Sequence, residues 1–255
     1  MGVSREVAGL GRDLRRVSTG VWRRVTKPKA VDLDGVTIPM DVGAMNAAAR
    51  YGVCFGDYER EERALLAETV EPGDVVLELG TGLGVISTLA AQLVGPTGSV
   101  HSYEANPRLE DDIRRVYAAN GVEPDFHAFP LGAEERDLEL FVSRNFFSSS
   151  TVDHGQEATK VVVHQRPIAE VVERLRPTYL IMDVEGAEVE LVPAVDLSSI
   201  RKVLLEVHPH KVGPGPVSEV VASLLARGLC LDTRRSARDV LYFFRPDADG
   251  WGSTG

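Results

Sequence analysis

The chain has 255 residues, of which 44% are hydrophobic and 26% charged, a balance typical of one globular domain with a full core. Its net charge of −10 argues against a polyanion such as RNA lying across the main surface, so no nucleic-acid partner is expected. The two cysteines, Cys54 and Cys230, fit no metal-ligand spacing and disfavour both structural zinc and a disulfide framework. Because no apolar run reaches the roughly 18 residues of a membrane span, we expect a cytoplasmic protein without one.

The N-terminal segment differs in charge from the rest of the chain. Residues 1–29 carry eight basic and two acidic residues, which gives +6 and leaves −16 for the remainder. Such a charge run is usually solvated, although it could also touch a phosphate, a membrane surface or an acidic partner. The sequence VDLDGVTIPMDVG follows and predicts a short hairpin with its turn at Asp34-Gly35. We therefore assign 1–50 to a basic arm and hairpin extension, through which a homo-oligomer could form.

Strands and amphipathic helices alternate over residues 51–246. Strands are predicted over 74–80, 99–106, 125–130, 179–186 and 202–207, each apolar on both faces and followed by a helical pattern. Two further strands, DLELFV and KVVVHQ, are inserted at about 136–165, and the polar stretch 143–159 between them is predicted to be a substrate-facing lid. The chain ends with the antiparallel pair LCLDT and VLYFFR and a tail over 247–255. This order predicts an α/β, Rossmann-like fold. Its seven-stranded, mostly parallel sheet has an antiparallel C-terminal edge hairpin and helices on both faces.

A glycine-rich loop follows the first of these strands. In ELGTGLG the residues Gly80, Gly82 and Gly84 alternate, which suits a backbone that bends sharply close to a ligand. The second strand ends at Glu104, whose carboxylate is placed to accept hydrogen bonds from the hydroxyls of a ribose. Glu78, directly before the loop, would repel a pyrophosphate but suits a positively charged ligand. The charge therefore favours S-adenosylmethionine over a dinucleotide as the cofactor.

Residues from about Val53 to Phe244 resemble the FkbM family of S-adenosylmethionine-dependent methyltransferases, which have a class I methyltransferase fold. The resemblance is carried by GDYEREE, VVLELGTGLG, the EANP turn at Glu104, and IMDVEGAE followed by VLLEVHP. It implies methyl transfer to a hydroxyl on a small molecule such as a sugar, a polyketide or another specialised metabolite. Methylation at nitrogen or on a protein or RNA, and a non-catalytic cofactor-binding protein, remain the alternatives.

The family resemblance also implies a set of cofactor-binding positions. The methionine part would be held at the glycine loop, the ribose at the end of the second strand, and the adenine beside that strand and after the third. In this sequence those positions are Glu78, Gly80, Thr81, Gly82, Gly84, Glu104, Ala105, Asn106, Leu131 and Gly132.

Candidate catalytic residues stand at the ends of the fourth and fifth strands. Asp183 ends the fourth strand, and Glu206 and His208 end the fifth within the sequence EVHPH. In one mechanism His208 accepts the hydroxyl proton while Asp183 orients it or the substrate. In the other, Asp183, Glu206 and His208 bind a divalent cation, Mg²⁺ or Mn²⁺, that acidifies the hydroxyl. A structural role for Asp183 in capping the next helix is the alternative, and His210 is interpreted as a bystander beyond Pro209.

Overall fold

The computed structural model describes residues 17–43, 45–143 and 158–246. The chain begins there with a helix, α1, over 17–26, which precedes the elements of the main domain. In chain order these are β1 Ala30–Leu33, β2 Val36–Pro39, α2 Ala47–Phe55, α3 Arg60–Thr69, β3 Val75–Leu79, α4 Val85–Val94, β4 Ser99–Tyr103, α5 Glu110–Asn120, β5 Asp125–His127, β6 Leu131–Gly132, β7 Arg136–Ser143, β8 Ala158–Pro167, α6 Ile168–Leu175, β9 Tyr179–Met182, α7 Glu188–Ala194, β10 Lys202–Glu206, α8 Pro209–Val212, α9 Pro214–Ala226, β11 Cys230–Leu231 and β12 Val240–Phe244.

The central sheet has seven strands in the order β11-β12-β10-β9-β3-β4-β5. Strands β3, β4, β5, β9 and β10 run parallel, whereas β12 is antiparallel to both β10 and β11. The predicted parallel sheet with an antiparallel C-terminal edge hairpin is therefore confirmed. Strand order reverses between β3 and β9, because the chain first builds outward through β4 and β5 and then returns. In sheets of this kind ligands bind at the carboxyl ends of the strands beside such a reversal.

Helices cover both faces of this sheet, and each face has its own apolar core. On one face α3, α4 and α5 pack with the β1–β2 hairpin, and Ile38 and Val36 of the hairpin are fully buried there. Asn120 at the end of α5 holds the hairpin through two hydrogen bonds, from the Thr37 amide to Oδ1 and from Nδ2 to the Thr37 carbonyl. On the other face α6, α7 and α9 pack over the strands. The hairpin of the extension thus shares a core with the sheet-bearing domain.

The inserted strands form a second sheet of their own. Strands β7 and β8 pair antiparallel, with Leu138 opposite Val163, and β8 pairs in parallel with the short β6. The third strand of the main sheet ends at His127, earlier than predicted, because the chain then bends toward β6. Residues 144–157 of the predicted lid lie outside the described residues.

A buried ion network ties the start of β10 to the neighbouring loop. The Lys202 side chain is 10% exposed, and its Nζ donates to the Thr69 carbonyl, Glu71 and Asp74, each at 2.8 Å. Asp74 also accepts a hydrogen bond from Thr178. The network leaves neither buried charge without a counter-charge. Across the described ranges, no helix combines the length and apolarity needed to cross a membrane.

Candidate active site

A cavity of about 820 Å³ opens where the strand order reverses, at the carboxyl ends of β3, β4 and β9. The volume lies within the roughly 300–1,000 Å³ range of small-molecule and cofactor sites. Its walls come from the loop after β3, the start of α3, the turn after β9, the second sheet and α8. The predicted catalytic residue Asp183 lines it. Six of the predicted cofactor-binding residues also line it: Gly80, Gly82, Glu104, Ala105, Leu131 and Gly132.

Three of the five residues in the glycine loop, residues 80–84, have no side chain, and two of these, Gly80 and Gly82, line the cavity. Gly80 has φ of +86°, and a Cβ there would stand 1.7 Å from the carbonyl oxygen of Asp183. A glycine is therefore required for the loop to pass the end of β9. Gly84, by contrast, packs against Tyr117 and Ile113 and does not line the cavity. It starts α4 and shapes the loop from behind.

Glu104 is fixed at the end of β4 by backbone donors. Its Oε2 accepts hydrogen bonds from the amides of Thr81 and Gly82, both at 3.1 Å, and Oε1 accepts one from Asn106 at 2.8 Å. The carboxylate is 7% exposed, and burial raises its pKa although these donors act in the opposite direction. A carboxylate held in this way has a fixed orientation toward the cavity, as ribose binding requires.

Glu78 lies below the glycine loop with its charge uncompensated. The side chain is fully buried, and neither oxygen has a hydrogen-bond partner among the described residues. Burial raises the pKa of Glu78 to about 8. Ser87 and Thr81 beside it act in the opposite direction and lower its pKa. Glu78 is not among the residues that line the cavity. Thr81 and Asn106 are also buried, and they lie behind the cavity wall rather than on it.

Five residues gather at the ends of β9 and β10, and we name them the strand-end cluster: Asp183, Glu185, Glu188, Glu206 and His208. His208 is the centre, because its Nε2 lies 3.5 Å from Asp183 Oδ1, 3.4 Å from Glu185 Oε2 and 3.9 Å from Glu206 Oε1. On the other side of the ring, Nδ1 lies 3.6 Å from Glu188 Oε1. The sequence prediction that Asp183, Glu206 and His208 converge at neighbouring strand ends thus matches their placement.

Only part of this cluster faces the cavity. Asp183 and Glu185 line it, whereas His208 is 5% exposed and lies behind Asp183. Glu188 is fully buried and holds the backbone by accepting the amides of Gly186 at 2.8 Å and His208 at 3.1 Å. Asp183 does not cap the next helix, α7. The N-cap of α7 is Ala187, and no side chain caps it.

Burial and crowding shift the protonation of the strand-end cluster. Burial first, and then the charges of Glu185 and Glu62, raise the pKa of Asp183 to about 7. Burial and the charge of Asp183 likewise raise the pKa of Glu206 to about 8. Burial alone would lower the pKa of His208, but the contact with Glu188 and the surrounding carboxylates raise it. The four carboxyl groups of the cluster outnumber its one imidazole, and this excess of acidic groups favours their protonated forms.

Several cavity residues were not predicted from the sequence. Tyr58 and Glu59 reach the cavity from the start of α3, where Glu59 adopts a left-handed φ of 47°. The Tyr58 hydroxyl hydrogen-bonds the Glu59 carboxylate, and burial raises the pKa of both groups. His210 and Lys211 also line the cavity, because the chain turns into α8 directly after His208. The GDYEREE motif was the available signal for Tyr58 and Glu59, but nothing local assigns them to a ligand site.

The model of the methyltransferase FkbM domain matches residues 74–228. The protein-L-isoaspartate O-methyltransferase of Ignicoccus hospitalis is 42% identical over 55 residues, or 22% of this chain and 26% of that relative. The chain therefore spans about a quarter of the length of this curated relative.

Two solved structures are similar at low identity. A methyltransferase from Pyrococcus furiosus is 13% identical with a TM-score of 0.46, covering 92% of this chain and 98% of that one. TrmN from Thermus thermophilus is 16% identical with a TM-score of 0.44, covering 72% and 48% respectively. The family model extends over more than half of the residues, and the chain belongs to the FkbM methyltransferase domain family.

Proposed function

We propose that this methyltransferase transfers the methyl group of S-adenosylmethionine to a hydroxyl oxygen of a small molecule. One observation carries the proposal: the glycine loop, Glu104 and Asp183 all open into the same cavity. The cofactor-binding residues and a carboxylate fit to face an acceptor are thereby brought together in one enclosed space.

The residues present fit this cofactor. It carries an ammonium and a sulfonium, and Glu78 offers two buried carboxylate oxygens without partners. Gly80 and Gly82 line the cavity without side chains, and Glu104 offers an oriented carboxylate for ribose hydroxyls. When bound, S-adenosylmethionine supplies a methyl carbon activated by the sulfonium. The protein then has to align the acceptor and remove its proton.

Asp183 is the proposed contact of the acceptor hydroxyl. It lines the cavity at the end of β9, directly beside Gly80, and is 40% exposed. His208 lies behind it and Glu188 behind His208, so the imidazole orients Asp183 rather than touching the acceptor. Asp183 thus takes the acceptor-facing position and His208 a positioning one, the reverse of the roles expected from the sequence.

A small acceptor is favoured by the shape and charge of the site. The second sheet closes one side of the cavity through Leu138 and Leu140, which leaves an enclosed space rather than an open groove. The net charge of −10 would repel a nucleic acid. A second candidate is methylation of an amine, because Asp183 and Glu185 on the cavity wall are carboxylates that could accept hydrogen bonds from an amine.

The experiment is an acceptor screen with methyl-labelled cofactor and a small-molecule extract, followed by identification of the product by mass. We expect a label on oxygen of a small molecule, and Asp183→Asn and His208→Ala to abolish transfer while calorimetry shows cofactor binding nearly unchanged. Glu173→Gln, an exposed carboxylate on α6, is the matched control. Label on nitrogen, protein or RNA contradicts the hydroxyl assignment. Equal loss of cofactor binding contradicts the roles of Asp183 and His208, and no transfer to any acceptor favours a non-catalytic binding protein.

A further inference from the structure

We propose that Asp183, Glu206 and His208 bind one divalent cation beside the cavity. The role of this ion in methyl transfer rests on the function proposed above, whereas its binding is a property of the three side chains alone. The three come from the ends of two neighbouring parallel strands: Asp183 follows β9, and Glu206 and His208 end β10. One ligand atom from each lies within 4.8 Å of the others.

The spacing of these atoms suits ligands of a common ion better than hydrogen-bonded pairs. His208 Nε2 lies 3.5 Å from Asp183 Oδ1 and 3.9 Å from Glu206 Oε1. Hydrogen bonds between such atoms normally measure about 2.7–3.2 Å. Two atoms each about 2.1 Å from one metal stand about 3.0 Å apart in cis and about 4.2 Å apart in trans octahedral positions. Both measured distances are longer than a hydrogen bond and shorter than the span of two trans ligands, so small side-chain movements would bring these atoms to one ion.

The buried imidazole gives the second, independent observation. The His208 side chain is 6% exposed, and its Nε2 points at the oxygens of Asp183 and Glu206 without a hydrogen bond of normal length. Its Nδ1 faces Glu188 Oε1 at 3.6 Å, also longer than a normal hydrogen bond. Glu188 lies on the Nδ1 side and is itself held by two backbone amides, which fixes the ring. A carboxylate behind one ring nitrogen, with the other nitrogen aimed at further ligands, is the usual arrangement around a metal-bound histidine.

The charge around His208 also requires a cation. Oδ1 of Asp183 is buried and has no hydrogen-bond partner within the part of the chain that the structure describes. Glu62 and Glu185 add negative charge to Asp183 and Glu206, while Lys211 is engaged by Glu185. Two carboxylates and one imidazole suit Mn²⁺ or Fe²⁺ somewhat better than Mg²⁺.

The location gives the ion a role in the reaction. Asp183 is shared between the cluster and the cavity wall, so an ion on its carboxylate has an open position toward the acceptor. A hydroxyl bound there loses its proton more readily. As its oxygen forms the new bond to the methyl carbon, the electron pair of the broken carbon–sulfur bond stays on sulfur and the hydroxyl proton is released to solvent.

The test is a titration of the full chain with Mn²⁺ after dialysis against EDTA, with free Mn²⁺ measured by electron paramagnetic resonance. We expect one bound ion per chain, and at least a tenfold weaker affinity in Asp183→Asn, Glu206→Gln and His208→Ala. Glu173→Gln, an exposed carboxylate far from the site, should bind as the wild type does. Circular dichroism verifies that each variant is folded. Glu206 does not line the cavity, so weaker Mn²⁺ binding in Glu206→Gln reports on the ion site and not on the cavity wall.

Two results overturn the proposal: no binding up to about 1 mM Mn²⁺, a limit typical of weak protein sites, or binding that persists unchanged in all three variants. Calorimetry of S-adenosylmethionine with the metal-free protein tests cofactor binding independently of the ion. Cofactor binding without Mn²⁺ binding overturns the ion site and leaves the proposed function standing. Full methyl transfer after exhaustive chelation rejects the ion and leaves the methyltransferase proposal intact. Site-specific Mn²⁺ binding without transfer to any hydroxyl supports the ion site and rejects the hydroxyl acceptor.

Discussion

We expect Glu78 to couple cofactor binding to the release of a proton, and this coupling can be measured. The carboxyl is fully buried below the glycine loop, its oxygens have no partner among the described residues, and burial raises its pKa to about 8. A cationic ligand stabilises the ionised form. Below pH 8 the carboxyl must therefore lose its proton when the cofactor binds. The affinity for S-adenosylmethionine should rise with pH, because deprotonation costs progressively less free energy.

The size of the effect follows from the pKa. With a pKa of about 8, about 1% of Glu78 is ionised at pH 6 and about 24% at pH 7.5. If only the ionised form binds well, Kd falls about 25-fold over this interval, or about 1.9 kcal/mol. The interval ends at pH 7.5 because the α-amino group of the cofactor begins to lose its own proton near its usual pKa of about 7.7–8.0.

Isothermal titration calorimetry on EDTA-treated protein measures both the Kd for the cofactor and the number of protons released on binding. Titrations in buffers with different ionisation enthalpies should show release of about 0.9 proton per bound cofactor near pH 7. Glu78→Gln should bind with an affinity that varies little with pH, since no proton is lost. Glu104, whose pKa is also raised by burial, stays in both proteins and accounts for any slope that they share. A wild-type Kd that is constant over this interval, or a wild-type slope retained in Glu78→Gln, would refute the coupling.

Three further predictions concern other parts of the chain. Lys202→Met leaves the buried Asp74 with only Arg201, at 3.4 Å, as its counter-charge and should lower the free energy of unfolding in urea by about 3 kcal/mol. Gly80→Ala places a Cβ 1.7 Å from the carbonyl oxygen of Asp183 and should weaken cofactor binding at least tenfold in calorimetry, while Gly215→Ala, with open space around it, should not. The basic N-terminal segment and the acidic remainder favour a homo-oligomer through α1, where Trp22 is 60% exposed. Trp22→Lys should give monomers in sedimentation velocity. A wild type that is monomeric at high micromolar concentration contradicts this prediction.

The sheet could be predicted from the sequence because each strand has a local pattern. The run DVVLELG predicted a strand at 74–80, and β3 covers Val75–Leu79. Its apolar residues are buried on both sides, which is typical of a central parallel strand. The glycines that follow likewise indicate a ligand loop, since few other residues adopt positive φ. Strand order was not encoded locally, but alternation of strands with helices restricts it to few arrangements.

The cavity wall was less predictable because it depends on backbone turns that have no local signal. Glu59 begins α3 with a left-handed φ of 47°, which the residue type does not favour, and this conformation accompanies the exposure of Tyr58 and Glu59 to the cavity. Period-two alternation placed His208 and His210 on one face of a continued strand. The chain instead leaves the sheet after Glu206 and enters α8 at Pro209. His208 therefore lies behind the wall, and His210 on it.

The buried carboxylates of the site differ in their hydrogen-bond donors, and this difference separates structural from ligand-directed roles. Glu104 accepts three backbone amides and Glu188 accepts two, so the fold itself compensates much of their charge. Neither oxygen of Glu78, nor Oδ1 of Asp183, has any partner among the described residues. Unpaired buried carboxylates are costly, so each is expected to meet a cation during function. Because Glu78 lies below the glycine loop and the 40% exposed Asp183 at the end of β9, we expect two different cations: the proposed cofactor at Glu78 and the proposed metal ion at Asp183.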